Sequence, residues 1–392
     1  MKKPILLFFV LIFSISAFAR VKTGIEVLRD DNFSVVRGKR IGLITNATGV
    51  DAELNSTVDI LHSAPGVKLV SLFAPEHGVR GDVAGGGVVA NQKDARTGLP
   101  VHSLYGRTFK PTPEMLRGLD ALVYDIQDIG CRSYTFISTM GKAMEAASEQ
   151  GLEFIVLDRP NPLGGERVEG PMTVEPGFKS FVSQYSIPYV YGLTAGELAL
   201  WINKTQLGGK CKLHVVKMEG WRRSMTFDQT GLPWVPTSPN IPTAETAFFY
   251  PAMGIMGELG SVSIGANYTM PFRVAVNETV DALKLTEYLN GQDIPGVRFR
   301  AVYLSPGGKH QKGVQVYILD PKKATLTAIQ FHIIRALMAI GQKPFAVDNS
   351  RLNLFDKVCG SKSVRQALMN PSAPIPTFDA TSWKTSAPKL YD

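Results

Sequence analysis

The sequence predicts an α/β protein, a parallel sheet covered by helices, joined to a second, smaller α+β domain at the C-terminal end. Three observations predict it. Short apolar runs of strand length alternate with helix-period segments through the first half of the chain, and polar residues recur where those runs end. A proline-rich stretch then breaks the alternation before a different pattern begins.

The first strand is "KRIGLIT" (Lys39–Thr45), a compact apolar run ending at Asn46, and "ELNSTVDILHS" places Leu54, Val58 and Leu61 at helical spacing. "GVKLVSLF" (Gly66–Phe73) is the second strand. "PTPEMLRG" starts a short helix after Pro111, and "LDALVYDI" (Leu119–Ile126) is a buried third strand. "STMGKAMEAASEQG" (Ser138–Gly151) is a helix with Ser138 as its N-cap and glycine at its end. "LEFIVLD" (Leu152–Asp158) is the fourth strand. A capping box, Thr194 with Glu197, opens the amphipathic "LTAGELALWINK", and "CKLHVVKM" (Cys211–Met218) is a further strand. Gly231–Gly254 reads as a crossover between domains. Beyond it "ETVDALKLTEYLN", "VRFRAVYL", "GVQVYIL" and "TLTAIQFHIIRALMAIG" supply the smaller domain. The expected division is 1–19, 20–245 and 246–392.

Residues 1–19 have the build of a secretory signal peptide. Lys2 and Lys3 precede an apolar run from Ile5 to Phe18, and Ala17-Phe18-Ala19 offers a cut after Ala19. The run is short for a membrane span, and no later segment is long and apolar enough for one. The expected location is periplasmic or secreted. The net charge of +8 falls to +6 without Lys2 and Lys3, and the remaining cations are scattered. No basic helix or aromatic-interleaved patch points to nucleic acid. The cysteines, Cys131, Cys211 and Cys359, are far apart and odd in number, so at most one disulfide forms.

In a parallel sheet, ligands bind beyond the carboxyl ends of the strands. Those ends carry Asn46, Glu76-His77, Gln127-Asp128, and Arg159 with Asn161. The second of them, "SLFAPEHGVRG", sets Glu76, His77 and Arg80 on a turn stiffened by Pro75. Glu76 there either braces the turn by pairing with Arg80 or does chemistry. Asp125, Asp128, Asp158 and Glu169 lie near the same sheet edge; a pair between Asp158 and Arg159 is the plainer expectation for Asp158. Two carboxylates flanking a bond are what glycoside hydrolysis commonly uses. Gln127, Arg132 and Tyr134 in "DIQDIGCRSYTF" have the chemistry to grip hydroxyls or a carboxylate, and Tyr134 equally suits closing the core. Asn240 sits in a stiff proline-bounded turn of the inter-domain stretch.

Other chemistries find less support. The first strand leads into "NATGVD", without the G-x-G-x-x-G of a dinucleotide site, and no Walker pattern occurs, so no nucleotide cofactor is expected. His77 with Glu76, Asp82 and Asp94 is the one candidate metal constellation, but no second histidine stands at ligand spacing, and no metal is expected. No G-x-S-x-G elbow is present.

Six stretches in order carry a resemblance: "SLFAPEHGVRG", "TGLPVHSLYG", "PTPEMLRGLDALVYDIQDIGCRSYTFISTMG", "VLDRPNPLGGERVEGP", "MEGWRRSM" and "TGLPWVPTSPNIPT". Together they resemble the exo-β-N-acetylmuramidase family, from about Val21 to Phe272 and more weakly beyond. The resemblance implies a Rossmann-like catalytic domain that binds no nucleotide. It also implies release of non-reducing terminal N-acetylmuramic acid from peptidoglycan fragments, so the expected partners are muramic-acid-containing saccharides or muropeptides. It implies Glu76 as general acid, with His77 beside it, and a cleft lined by Asn46, Arg80, Gln127, Arg132, Tyr134, Arg159, Asn161, Asn240 and Glu258. An arginine fork suits the lactyl carboxylate, which makes Arg132 and Arg159 the expected partners.

Two departures stand out. Before Pro271-Phe272 the chain reads "ELGSVSIGANYT", keeping Glu258, Ser263, Gly265 and Thr269, but with Ser261 in the place of the family's asparagine and Ala266 in that of its arginine. Gly86-Gly87 occupies the place of a charged pair. Two further readings therefore stand beside the glycosidase: a non-catalytic muropeptide-binding protein, and a metal-dependent hydrolase centred on His77.

Overall fold

The computed structural model describes residues 20–81 and 92–392; the expected signal peptide lies outside them. The large sheet comprises β1 (Arg40–Thr45), β2 (Lys68–Ala74), β3 (Gln92–Lys93), β4 (Pro100–Ser103), β5 (Ala121–Asp125), β6 (Glu153–Leu157) and β7 (Lys212–Val216). Its order is β3-β4-β2-β1-β5-β6-β7, parallel throughout except where β3 runs against β4. The apolar runs form these strands because both faces are covered. Ile44, Leu122, Tyr124, Phe154 and Val156 enter one core, and the alternate residues Ile41, Leu43, Val123, Ile155 and Leu157 enter the other. This is the Rossmann-like α/β arrangement with helices on both faces. β2 lies on one side of β1 and β5 on the other, so the chain reverses its winding there and the loops after β1 and β5 diverge.

The second sheet is antiparallel, in order β8-β10-β9, with β8 (Val274–Asn277), β9 (Val297–Leu304) and β10 (Gln311–Ile318). Helices Ala282–Gly291 and Leu326–Ala339 pack with it, giving the smaller α+β part. The first core runs without a break from the large sheet into these helices.

Two local readings change. The helix expected from Ser138 starts at Phe136, with Thr135 at the N-cap; Ser138 is buried inside it and donates to the Phe181 carbonyl at 2.6 Å. The end of the expected crossover is helical, Thr246–Gly257, despite Pro251 within it. Gln330 ties this helix to the smaller domain, donating to the Pro251 carbonyl at 2.7 Å and accepting from the Met256 amide at 2.9 Å. The Thr194–Glu197 capping box is present, and all the cysteines are buried free thiols. Among the described residues no helix is long and apolar enough to cross a membrane.

The chain end returns to the large sheet. Leu390 N–H donates to Glu197 at 2.8 Å, the Tyr391 hydroxyl donates to Asp158 at 2.6 Å, and the Asp392 carbonyl accepts from Arg223 N–H at 2.9 Å.

Candidate active site

β2 runs into Pro75, and the chain then turns sharply. His77 has φ +72° and Gly78 +80°, consecutive left-handed positions that aim Glu76 out of the strand end. The Thr135 hydroxyl donates to Glu76 Oε2 at 2.5 Å. Thr135 immediately precedes the helix Phe136–Glu149, so the carboxylate lies at the positive end of that helix dipole. Tyr105, just past β4, also bonds Glu76; burial first, and then the Glu76 charge, raises its hydroxyl pKa. The buried His77 ring stands edge-on to Phe136 at 6.5 Å.

Phe136 also meets Tyr134 at 5.0 Å, and Tyr134 meets Tyr250 edge-to-face at 5.5 Å. The Tyr134 hydroxyl is hydrogen-bonded with Thr237 Oγ1 at 2.8 Å, and burial raises its pKa. Tyr250 shares Ser133 with Tyr189, at 3.1 and 2.9 Å. Glu258 ends the helix that carries Tyr250; burial pushes its carboxyl up to about 7 against the opposing charge of Arg351. After burial, the Glu76 charge adds to the raised pKa of Tyr134 and the Glu258 charge to that of Tyr250.

The other strand-end carboxylates are committed elsewhere. Asp125 holds Arg159 through Nε at 2.5 Å and Nη2 at 3.0 Å, and accepts from Thr57 at 2.5 Å. Asp158 accepts from Thr194, Gly196, Tyr391 and the Arg159 amide, and burial pushes it up to about 6. Its expected pairing with the Arg159 side chain is therefore replaced by Asp125. Asp128 accepts from Tyr191 and the Gly130 amide, and burial pushes it up to about 7. Asp125, Asp128 and Asp158 are all buried, whereas Glu76 and Glu169 are part-exposed; Glu169 is paired with Arg167 and accepts from the Thr327 amide at 3.0 Å.

Several expected cleft residues serve the scaffold. Asn46 Oδ1 accepts from the Thr48 amide and hydroxyl, and Thr48 in turn accepts from Gln127 N–H at 2.9 Å. The Gln127 amide donates to the Asp128 and Pro160 carbonyls, and Asn161 ties Leu163 to Leu193. Arg80 forms a bidentate pair with Asp94, which removes the expected brace between Arg80 and Glu76. Asn240 accepts from the Asn267 amide at 2.6 Å, fastening the inter-domain stretch to the "ELGSVSIGANYT" loop.

Arg132 is the clearest correction. It is fully buried, and it donates to the Pro171, Ile187, Val358 and Cys359 carbonyls. The last two end the helix Asn349–Cys359, where a cation meets the negative dipole end. Burial without a carboxylate partner pulls its pKa down to about 10. It is a latch between the two halves and does not face a ligand. Arg159, committed to Asp125 and the Val50 carbonyl, borders a cavity of about 20 Å³, room for a water and not for a sugar.

Among the described residues no group of three or more histidine, cysteine or acidic side chains gathers at metal-binding distance; Asp82 and Gly86-Gly87 lie outside them. Sequence reasoning passed over Thr135 and Tyr105, the partners of Glu76, although both stand inside the stretches that carry the family resemblance.

Residues 41–245 match the model of the N-terminal part of exo-β-N-acetylmuramidase NamZ, and residues 248–384 match that of its C-terminal part. The chain belongs to the NamZ family. It is 46% identical over 356 residues to the peptidoglycan β-N-acetylmuramidase NamZ of Bacillus subtilis, covering 90% of this chain and 85% of that protein. Two solved structures of DUF1343 family proteins from Bacteroides fragilis share the NamZ-family fold seen here. One is 51% identical with a TM-score of 0.89, covering 95% of this chain and 99% of its own. The other is 27% identical with a TM-score of 0.70, covering 94% and 95%.

Proposed function

We propose that this NamZ-family chain is an exo-β-N-acetylmuramidase that releases non-reducing terminal N-acetylmuramic acid from peptidoglycan fragments, with Glu76 as its general acid/base. The observation that carries the reading is the 46% identity with the Bacillus subtilis peptidoglycan β-N-acetylmuramidase along nine-tenths of the chain. Glu76 takes the acid role because it is part-exposed at a strand end, while Asp125, Asp128 and Asp158 are buried in other contacts and Glu169 is paired with Arg167.

Cleaving a glycosidic bond requires a proton on the leaving oxygen as positive charge develops on the sugar ring. Glu76 delivers that proton, then recovers one from the attacking water. Thr135 and Tyr105 fix its rotamer, and His77 shapes the turn that presents it. Tyr134 and Tyr250 offer an aromatic wall, and Glu258 is the second carboxylate bordering that wall. Asn240 acts on the ligand only indirectly, by holding the loop that follows Glu258.

We also propose export, with cleavage after Ala19, and a division into a catalytic domain over 20–245 and a smaller domain over 246–392. The family models, which meet between 245 and 248, support that division.

The experiment is turnover of a chromogenic N-acetylmuraminide by the wild type and Glu76→Gln, with and without chelator. Glu76→Gln is expected to lose about 10²–10⁴ in rate with unfolding unchanged. Full activity in the variant would remove Glu76 from the chemistry. Binding without turnover in the wild type would leave a muropeptide-binding protein, and loss of turnover on chelation would restore a metal.

A further inference from the structure

Three aromatic rings, Tyr105, Phe109 and Phe181, form a second cluster beside Glu76. Tyr105, whose hydroxyl bonds Glu76, meets Phe109 edge-to-face at 5.6 Å and Phe181 at 6.0 Å. Phe109 and Phe181 stand 4.5 Å apart. Among the described residues these two phenylalanines join no buried core, and Phe109 is 37% exposed. Core burial therefore does not account for them. Aromatic side chains left open beside a catalytic carboxylate are the ordinary lining of a ligand site.

The cluster is built onto the elements that hold Glu76. The Phe181 carbonyl accepts from Ser138 at 2.6 Å, in the first turn of the helix Phe136–Glu149, and Thr135 just before that helix bonds Glu76. Lys110, next to Phe109, donates to Glu145 at 3.0 Å and to Glu149 at 2.7 Å on the same helix. Both phenylalanines are thus tied to one helix, and Tyr105 joins them to the carboxylate. Side chains fixed before a ligand arrives lose little freedom when it binds.

The two aromatic groups around Glu76 differ in access. Tyr134 and Phe136 are buried and Tyr250 is half-buried, whereas Phe109 lies open; no ring contact joins the two groups among the described residues. A general acid stands beside the glycosidic oxygen, with the terminal sugar on one side and the leaving sugar on the other. Removing one terminal sugar requires that this sugar be enclosed while the rest of the chain stays outside. The Tyr134 side suits the terminal sugar, and the open side suits the leaving one. A pyranose ring presents an apolar C–H face, whose partial positive charge the face of an aromatic ring attracts. We propose that Tyr105, Phe109 and Phe181 form the subsite for the leaving sugar, N-acetylglucosamine in a peptidoglycan chain, with Phe109 stacking on its pyranose ring. The assignment rests on the muramidase reading for the identity of the two sugars.

The test is calorimetric titration of the full chain with N-acetylmuramic acid and with the sulfur-linked disaccharide of N-acetylmuramic acid β-1,4 to N-acetylglucosamine, whose thioglycosidic bond resists acid-catalysed cleavage. The wild type is expected to bind the disaccharide about tenfold more tightly, the scale of one aromatic contact. Phe109→Leu keeps an apolar side chain but has no flat face, and it is expected to abolish the preference with the urea midpoint unchanged. Phe109→Tyr keeps the face and is expected to retain the preference. Equal affinity for the two probes in the wild type overturns the subsite, as does a preference that survives in Phe109→Leu. Loss in Phe109→Tyr as well as Phe109→Leu would show a packing role and overturn it too. Failure of the wild type to release N-acetylmuramic acid from the oxygen-linked disaccharide strikes the muramidase reading instead, because the affinity difference is read without cleavage.

Discussion

His77 holds a backbone conformation that costs an L-residue about 1–2 kcal/mol, and it does so immediately after Glu76. Strain of this kind persists where the surroundings over-determine it, here through the Pro75 turn and the edge contact with Phe136. Replacing His77 by alanine removes the ring but keeps the Cβ, whereas glycine removes both. His77→Gly is therefore expected to be more stable than His77→Ala by about 1 kcal/mol, read as the difference in urea midpoint. Coincident unfolding curves would show that the turn is not strained. At this scale the sequence was readable for Glu76, because proline before a glutamate at a strand end is a local signal. It was not readable for Arg132. The carbonyls of Val358 and Cys359 that claim its guanidinium lie more than two hundred residues away, and nothing near "CRSY" announces them.

Among the elements, β1, β2, β5, β6 and β7 were legible because each is an apolar run of strand length. β3 and β4 were not, since they are short and partly exposed at the sheet edge and bear little apolar pattern. The helix Thr246–Gly257 was hidden for a different reason. Pro251 argues against a helix locally, and the element forms because tertiary contacts outweigh the lost bond to the Ala247 carbonyl. Gln330, fully buried, supplies those contacts to the Pro251 carbonyl and the Met256 amide. Gln330→Met keeps the volume but orphans both groups, so it is expected to destabilise the protein by about 2–3 kcal/mol. An unchanged thermal midpoint would show that the helix stands without the bridge. Because the helix carries Tyr250 and leads into Glu258, the same variant is expected to raise KM for the chromogenic N-acetylmuraminide more than it lowers stability alone would explain.

Across the whole molecule, the last three residues clasp the large sheet at Asp158, next to the Arg159–Asp125 pair that braces the strand ends. The clasp has a pH dependence with a definite sign. Burial raises Asp158 to about 6, above its ordinary value of 3.8, so its contribution to stability is full below 3.8 and is lost as pH rises through about 6. The Tyr391 hydroxyl opposes that loss, because it donates to the carboxylate and favours the ionised form. Tyr391→Phe removes this donor, and with it the acceptor for the Met218 amide. The Met218 part is the same at every pH, whereas the Asp158 part matters only once the carboxylate is ionised. The destabilisation caused by Tyr391→Phe is therefore expected to be about 1 kcal/mol larger at pH 8 than at pH 5, read from urea midpoints at the two values. Equal differences would mean that Asp158 keeps its proton in the folded protein up to pH 8. The clasp would then be a neutral hydrogen bond, with no part in the pH response of the strand-end network.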